Sequence, residues 1–462
     1  MEEEGAIMFD GIKNFVKGVF RKMFPIKTIQ ETIKEDVAFT DAMIERIELW
    51  AKMNQGNAPW VDDYVSSLRL EQGICREFAN VCLNEMETSV SNDKLDEIYQ
   101  DAIQDLNENL QSGLALGSFI IKPLGENKVE YVTADRFIPV KFDSRGRLID
   151  VIFIETKKEK ANSYYYRFER HKLDKTGLLI TNKAYHSASN TTIGKQVPLS
   201  TIDEWANLPE EMYYPGVEKP DFGYYRNPIK NNIDGSFCGV SIFDSAIDLI
   251  KKTDKQFGRL EWEFESGERV IHVDIAAMQS QATIDGGRTS WKMPELNKRL
   301  YKGLNLQPGQ NEELYKEYSP EFRDENIING LNAMLRRIEF NTSLSYGDLS
   351  DAQYVEKTAT ELSIAKKRKY NMVTAIQKNL KECLEDLVYA LAFYNAKLNS
   401  GYDFVCIFND SILIDEEKER EQDRKDVAMG VMSLLEYRVK WFGEDEETAK
   451  ANLPQQADLV QE

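Results

Sequence analysis

The sequence predicts an α+β fold, and three observations predict it. The first hundred or so residues carry apolar side chains at helical spacing. Residues 119–185 switch to short β-rich runs separated by turn chemistry. After Ser241 long amphipathic helices dominate, interrupted by one small strand-bearing insert. With 462 residues, 42% hydrophobic and 29% charged, the chain has length for buried cores and for about two to four domains. No uncharged apolar run reaches the roughly eighteen residues of a membrane span. The start, MEEEGAIMFD, has neither the basic lead nor the cleavage site of a secretory signal.

Residues 9–24 place Phe9, Ile12, Val16, Val19, Phe20 and Phe24 on one helical face, with Lys13, Lys17, Arg21 and Lys22 around it. A basic amphipathic helix of this kind docks on a partner or lies on a membrane, and interior docking is the commoner use of such a stripe. A second helix is predicted over 28–53, opened by Thr28 and Glu31 at capping-box spacing and closed by Gly56, Asn57 and Pro59. A third carries Val65, Leu68, Cys75, Phe78 and Cys82. A fourth, after Asn92, carries Leu95, Ile98, Ala102, Leu106 and Leu110, and Gly113 ends it.

Strands are predicted at 119–122, 128–132, 138–142, 148–154, 163–170 and 178–185. Turn residues punctuate them at 125–127, 143–146 and 175–177, which makes an antiparallel meander. Residues 205–237, rich in Pro, Tyr and Asn, read as an ordered connector.

A long helix follows from Ser241, with Asp244 at cap spacing, to about Glu265, a rod of roughly 37 Å. Its stripe is Phe243, Ile247, Ile250, Phe257 and Phe264, and Asp254 and Glu261 fall on it; Lys251, Lys255 and Arg259 form a separate ridge. A second rod, 325–344, runs through Ile327, Leu331, Met334, Leu335 and Ile338. The insert between them, 268–323, reads as a strand at 270–275, a turn at Asp285-Gly286-Gly287 and a short helix at 294–301. One helix leaves, a small module sits at the tip, and one helix returns, which describes a stalk.

Residues 345–357 have little periodicity, a length at which loops are usually functional or disordered. Thr358 and Glu361 then form a capping box that fixes the start of the next helix. That helix runs through Val373, Ile376, Leu380, Leu384, Leu387, Leu391 and Tyr394 to Gly401. The loop is therefore a tethered, movable segment between defined ends. A strand at 403–408, a mixed-charge segment after Asp415 containing Val431, Leu434 and Leu435, and a last helix after Gly443 complete the chain. No repeat of solenoid length occurs.

The formal net charge of −20 argues against coating DNA by phosphate neutralisation. It is compatible with an acidic wall past which a duplex slides. His171, His186 and His272 stand alone, with no H-E-x-x-H and no cysteine at zinc spacing, and read as surface or strand residues. Gly194-Lys195 is followed by Gln196 and is no Walker A loop, and residues 239–243 start a helix and form no nucleophile elbow. Cys75, Cys82, Cys238, Cys383 and Cys406 are odd in number and scattered, as for buried thiols in a reducing compartment. With 78 acids, some cluster for a Mg²⁺-dependent nuclease is always conceivable, and no motif marks one. No catalytic residue, metal or cofactor is predicted.

Four stretches carry a resemblance: YYRNPIKNNIDGSFCGVSIFDSAIDLIKKTDKQFGRLEWEFESGERVIHVD (224–274), KTATEL (357–362), FNDSILID (408–415) and GVMSLLEYRVKWFG (430–443). In this order around a helix-module-helix stalk, the chain resembles the portal proteins of tailed bacteriophages, of the type found in long-tailed phages and prophages of Gram-positive hosts. The resemblance implies a virion ring, usually of twelve subunits, assembled in the host cytoplasm and set at one capsid vertex. Double-stranded DNA is packaged and ejected through it. The terminase large subunit supplies ATP hydrolysis, and the major capsid and scaffolding proteins and a head-tail adaptor are the other partners.

The implied division is a wing (1–240), a stem helix (241–267), a clip (268–323), a second stem helix (324–344), a tunnel loop (345–357), a return to the wing (358–414) and a short crown (415–462). Ser345, Tyr346, Asp348, Ser350, Asp351, Gln353, Glu356 and Lys357 would face DNA, with Thr358 and Glu361 capping the helix beyond. Lys251, Lys255, Arg259, Asp254, Glu261, Arg336 and Arg337 would line the channel or a subunit interface. Asp254 and Glu261 would meet a neighbour's Lys or Arg there; a solvated ridge is the plain alternative for the basic residues. A different class of reading is a peripheral membrane or scaffold ring that rests on the basic N-terminal helix and transports no DNA.

Overall fold

Helix α1 (Ile26–Ile33) starts behind Pro25, and α2 (Asp41–Asn54) follows a break, so two helices stand where 28–53 predicts one. The computed structural model describes residues 24–125, 128–160, 162–267, 270–274, 282–285, 288–291, 301–304, 315–318, 321–351, 359–395, 401–409, 416–442 and 444–453. The basic helix expected over 9–24 lies outside them except for Phe24. Lys34 takes a left-handed conformation, φ 60°, and ends α1. The break lets Glu35 reach the Arg170 guanidinium and Ala38 N–H donate to the Pro139 carbonyl at 3.0 Å. Thr28 is inside α1 and is not its cap; its carbonyl accepts the Thr32 hydroxyl at 2.7 Å.

Helix α3 (Leu70–Leu83) begins after Val65 and Leu68, which belong to the segment before it. Strand β1 (Met86–Val90) pairs antiparallel with the strand at Phe404–Phe408, a match between distant segments that neither end announces. Asn92 caps α4 (Asp93–Ala102), its side chain accepting from Leu95 N–H at 3.2 Å, as its sequence position predicts. α5 (Leu106–Leu116) is a separate helix. Gly113 does not end it: a Cβ there would lie 2.2 Å from the Phe119 ring, so the glycine serves packing. The stop is Gly117, at φ 90°, where a side chain would meet the Gly239 carbonyl at 2.3 Å.

β2 (Ser118–Pro123), β3 (Val129–Thr133), β4 (Phe137–Phe142), β5 (Leu148–Lys160), β6 (Ser163–Leu173) and β7 (Gly177–Ser187) stand where strands are predicted, but they divide between two sheets: β2 pairs with β3, and β4 to β7 alone form an antiparallel meander. β8 (Lys195–Val197) and β9 (Glu211–Pro215) extend that meander by pairing with β7, and β10 (Gly223–Arg226) follows. The connector thus contains two paired strands: β9 lies on β7, and β10 joins β2 and β3 in a separate three-stranded sheet. Asp143 and Asp174 make the turns, each carboxylate accepting two backbone N–H groups, at 2.8 and 2.9 Å and at 2.7 and 3.1 Å.

A short 3-10 turn, Asp244–Ala246, precedes α6 (Ile247–Ser266). The α-helix begins later than Ser241 because Ile242 N–H is taken by the Leu114 carbonyl at 3.0 Å and Asp244 by the Trp50 indole at 3.0 Å. In the insert, β11 (Val270–Asp274), β12 (Ala282–Asp285), β13 (Arg288–Trp291), β14 (Tyr301–Leu304) and β15 (Tyr315–Tyr318) are described. β11 pairs parallel with β14 and antiparallel with β15, and β12 and β13 form a hairpin. The helix predicted at 294–301 lies outside the described residues apart from Tyr301, which opens a strand.

α7 (Asp324–Thr342) returns antiparallel to α6, and the pair is fastened at both ends. At one end Arg323 grips Glu263 through Nε and Nη2, at 3.1 and 2.7 Å. At the other, Ser245 and Asn341 exchange side chain to backbone hydrogen bonds at 3.1 and 3.2 Å. α8 (Ala359–Tyr394) then crosses the main core. Its Val373, Ile376, Leu380, Leu384, Leu387 and Leu391 are buried with Phe78, Phe119 and Tyr225. β16 (Phe404–Phe408), α9 (Glu416–Ala428), α10 (Leu434–Phe442) and α11 (Glu446–Ala451) follow. All five cysteines are buried and unbridged.

Candidate functional site

The loop between α7 and α8 leaves its first helix at Ser343, which adopts φ 65°. From there to Asp351 the backbone is held in place. Glu339, fully buried on α7, accepts the backbone N–H groups of Gly347, Leu349 and Ser350 at 3.0, 2.7 and 2.8 Å on one carboxylate oxygen. The Ser350 hydroxyl donates to the other at 3.0 Å. Four donors thus converge on one buried carboxylate and satisfy backbone groups that the loop would otherwise leave unpaired. Asn332, about two helical turns before Glu339, accepts Asp351 N–H at 3.2 Å.

A second fastening comes from α8. Lys369, buried, bridges Asp348 at 3.0 Å and Glu77 of α3 at 2.7 Å. Burial alone would push this ammonium down, but Glu77 and Asp348 outweigh it and hold its pKa above the ordinary lysine range. Arg368 donates to the Leu344 carbonyl at 3.0 Å and lies over the rings of Phe340 and Tyr346, 4.9 and 5.1 Å from their centroids. Asp348 also accepts Ser345 N–H at 2.9 Å. The root of the loop is thus tied to α7 by carboxylate and to α8 by cations.

Of the residues expected to face DNA, Ser345, Tyr346, Asp348, Ser350 and Asp351 are described and gather at this root. Ser350 is buried against Glu339 within its own chain, which makes it an anchor of the loop. The first half of the loop, expected as a movable segment, is fastened at Glu339, Asn332 and Lys369. Gln353, Glu356, Lys357 and Thr358, and the side chain of Glu361, lie outside the described residues; α8 opens at Ala359, next to Thr358.

The charges on the two rods separate into distinct environments. Lys251, Lys255, Arg259 and Arg337 are exposed, and Arg336 is half-buried. Asp254 does not await a neighbour's cation. It is buried under its own chain, accepting the Trp60 indole N–H at 2.8 Å and Leu68 N–H at 2.9 Å. Burial raises its pKa, against the pull of those two donors. Gly258 lets the Tyr64 carbonyl approach: a Cβ there would lie 2.7 Å from it. Glu261 stays exposed and receives the Ser66 hydroxyl at 3.4 Å. The outer part of the rod pair shows Trp262, Phe264 and Phe322 to solvent.

Sequence reasoning missed Glu339, Lys369 and Asn332. The available signal was an acid among Leu335, Ile338 and Thr342 on the inward face of α7. An acid in such a stripe asks for donors. Among the described residues no group of three or more His, Cys, Asp or Glu converges as a metal site, and no helix is long and apolar enough to cross a membrane.

Residues 81–458 match the family described as "Phage portal protein, SPP1 Gp6-like". The chain belongs to that portal family. The match spans both rods, the insert, the fastened loop and α8. No curated protein matches the sequence. A solved chain titled "Neck of native GTA particle computed with C12 symmetry" is similar at 13% identity and a TM-score of 0.42, over 84% of this chain and 91% of that one. The portal family is a structural one, and the α+β architecture agrees with it.

Proposed function

We propose that this portal-family chain forms a ring, with twelve copies the expected number, at one vertex of a phage capsid. Double-stranded DNA passes through its bore during packaging and ejection. In this reading α6 and α7 are the stem, 268–323 the clip, α9 to α11 the crown, and residues 1–240 with α8 and β16 the wing. The terminase large subunit supplies ATP hydrolysis from outside, and the capsid, scaffolding and head-tail adaptor proteins dock around the ring. The chain itself does no chemistry; it positions a loop.

The observation that carries the reading is the double fastening of the loop root, Glu339 below and Lys369 behind. A segment that must bear against a moving polymer needs a base that does not yield, and Ser345, Asp348 and Ser350 supply that base. The DNA-facing role then falls to Gln353, Glu356 and Lys357, beyond the anchors. The exposed basic ridge of Lys251, Lys255 and Arg259 lies on the outer side of α6, available to the channel or to a neighbour.

Deletion of residues 352–356 tests this. Rings seen by negative-stain microscopy should persist, while packaged DNA in a complementation assay falls. Loss of the rings themselves would show that the loop builds the assembly and has no separate role in transport.

A further inference from the structure

Beside the loop root lies an open cavity of about 490 Å³, bounded by α8, by Ser343 at the end of α7 and by Pro228 of the connector. Its polar lining is Lys367, Arg368, Asn371 and Ser343; Met372 and Ala375 are part of its apolar lining. Among the described residues no carboxylate lines it, in a chain whose formal net charge is −20. Lys367 and Asn371 are exposed. Arg368 is half-buried and spends one hydrogen bond on the Leu344 carbonyl; its Nε is buried and finds no acceptor among the described residues. Cationic donors over an apolar floor fit an anionic group carried on a short aliphatic stem.

From this lining we propose that the cavity is a socket for an acidic side chain of the adjacent copy. The inference rests on the ring reading given above. A closed ring of one kind of subunit uses heterologous contacts, so each chain carries two different surfaces that fit each other. A socket of cationic donors has its complement elsewhere on the same acidic chain. Within a ring that complement is held at high effective concentration, which free anions and passing DNA do not match. The same contact couples neighbouring loop roots, because Arg368 holds the Leu344 carbonyl and packs on Tyr346 of the loop itself.

The test is the double variant Lys367→Glu, Asn371→Asp in the full chain, beside wild type, with ring and monomer populations read by native mass spectrometry. Circular dichroism checks that the variant is folded. Placing like charge in the socket should lower the ring fraction by about tenfold or more. Wild-type rings should dissociate as salt is raised, and Lys367→Cys with a carboxylate-reactive thiol crosslinker should join neighbouring copies to each other. Undiminished rings in the folded double variant would overturn the proposal. So would loss of binding to a short duplex, by fluorescence anisotropy, with ring number unchanged, since that would assign the socket to phosphate. A wild-type chain that stays monomeric under all conditions would instead remove the ring reading, and the socket with it.

Discussion

Two buried glutamates show how differently one side chain can be used. Glu339 on α7 and Glu71 in the first turn of α3 are 0% and 1% exposed. Glu339 collects three amide N–H groups and a hydroxyl. Glu71 has a carboxylate oxygen with no partner, and burial, reinforced by nearby Asp254, pushes its pKa up to about 7 against its own backbone N–H and Arg69. The first is a fastener: an irregular stretch of backbone has found in it the acceptors that a helix or sheet would have supplied. The second is a strain left in the core where α3 meets α6. The difference teaches that burial of an acid says nothing by itself; the count of converging donors decides whether it holds structure or opposes it.

The largest expected effect tests the fastener. Glu339→Ala strands several buried donors and should cost about 3–5 kcal/mol in urea unfolding, with new proteolytic cleavage within 345–351. Glu339→Gln should be much milder. Its carbonyl can still take the three N–H groups, and its NH2 can donate to the Ser350 hydroxyl, which is acceptor as well as donor. Equal damage from both variants would mean that the charge matters, and the acceptor geometry alone does not.

A second network sharpens the comparison because it mixes both behaviours. His171 on β6 stands between Asp221, 2.7 Å from Nδ1, and Glu169, 3.0 Å from Nε2. Tyr394 at the end of α8 donates to the same Asp221 oxygen at 2.6 Å, while the other oxygen of Asp221 has no partner. Burial would lower the imidazole, but the two carboxylates outweigh it and raise its pKa from 6.5 to about 9. A raised histidine stabilises the fold fully below its unfolded value and stops doing so as pH climbs through the folded one. Stability should therefore decline between about pH 6.5 and 9, by on the order of 3 kcal/mol. His171→Asn should be less stable at pH 6 and show a flatter profile across that window in thermal melts.

Local chemistry made part of this fold legible. Asn92 before α4, and Asp143 and Asp174 in their turns, act on backbone groups within a few residues, so their sequence positions suffice. The helix expected over 28–53 breaks where Glu35 meets Arg170, and the helical stretch after Asn92 runs on to Gly117, where that glycine meets Gly239; both contacts are tertiary. The pairing of β1 with β16 spans more than three hundred residues and leaves no periodic trace. The site was half legible. Its position between the second rod and the long helix after it could be read, but the anchors could not. The donors to Glu339 are mainly backbone amides of Gly347, Leu349 and Ser350, and a backbone amide is the same in every residue type. Asp254 was noticed as an acid on an apolar stripe and given the wrong partner, for Trp60 and Leu68 carry no charge to suggest the match.

The smallest effect should be a gain, and it tests the strained glutamate. A carboxyl whose pKa rises from 4.5 to about 7 on folding is harmless while it is protonated in both states. Above pH 4.5 the unfolded chain releases the proton and the folded one keeps it, so stability falls as pH rises and the full penalty is reached above about 7. Glu71→Gln keeps the shape and removes the ionisation. It should match wild type near pH 4.5 and exceed it by about 1–3 kcal/mol at pH 8 in urea unfolding. A loss at pH 8 would mean that the open oxygen of Glu71 has a partner, for instance an ordered water, that the carboxylate holds better than an amide does. In that case Glu71 would join Glu339 as a fastener, and the contrast between the two would reduce to the kind of donor each has found.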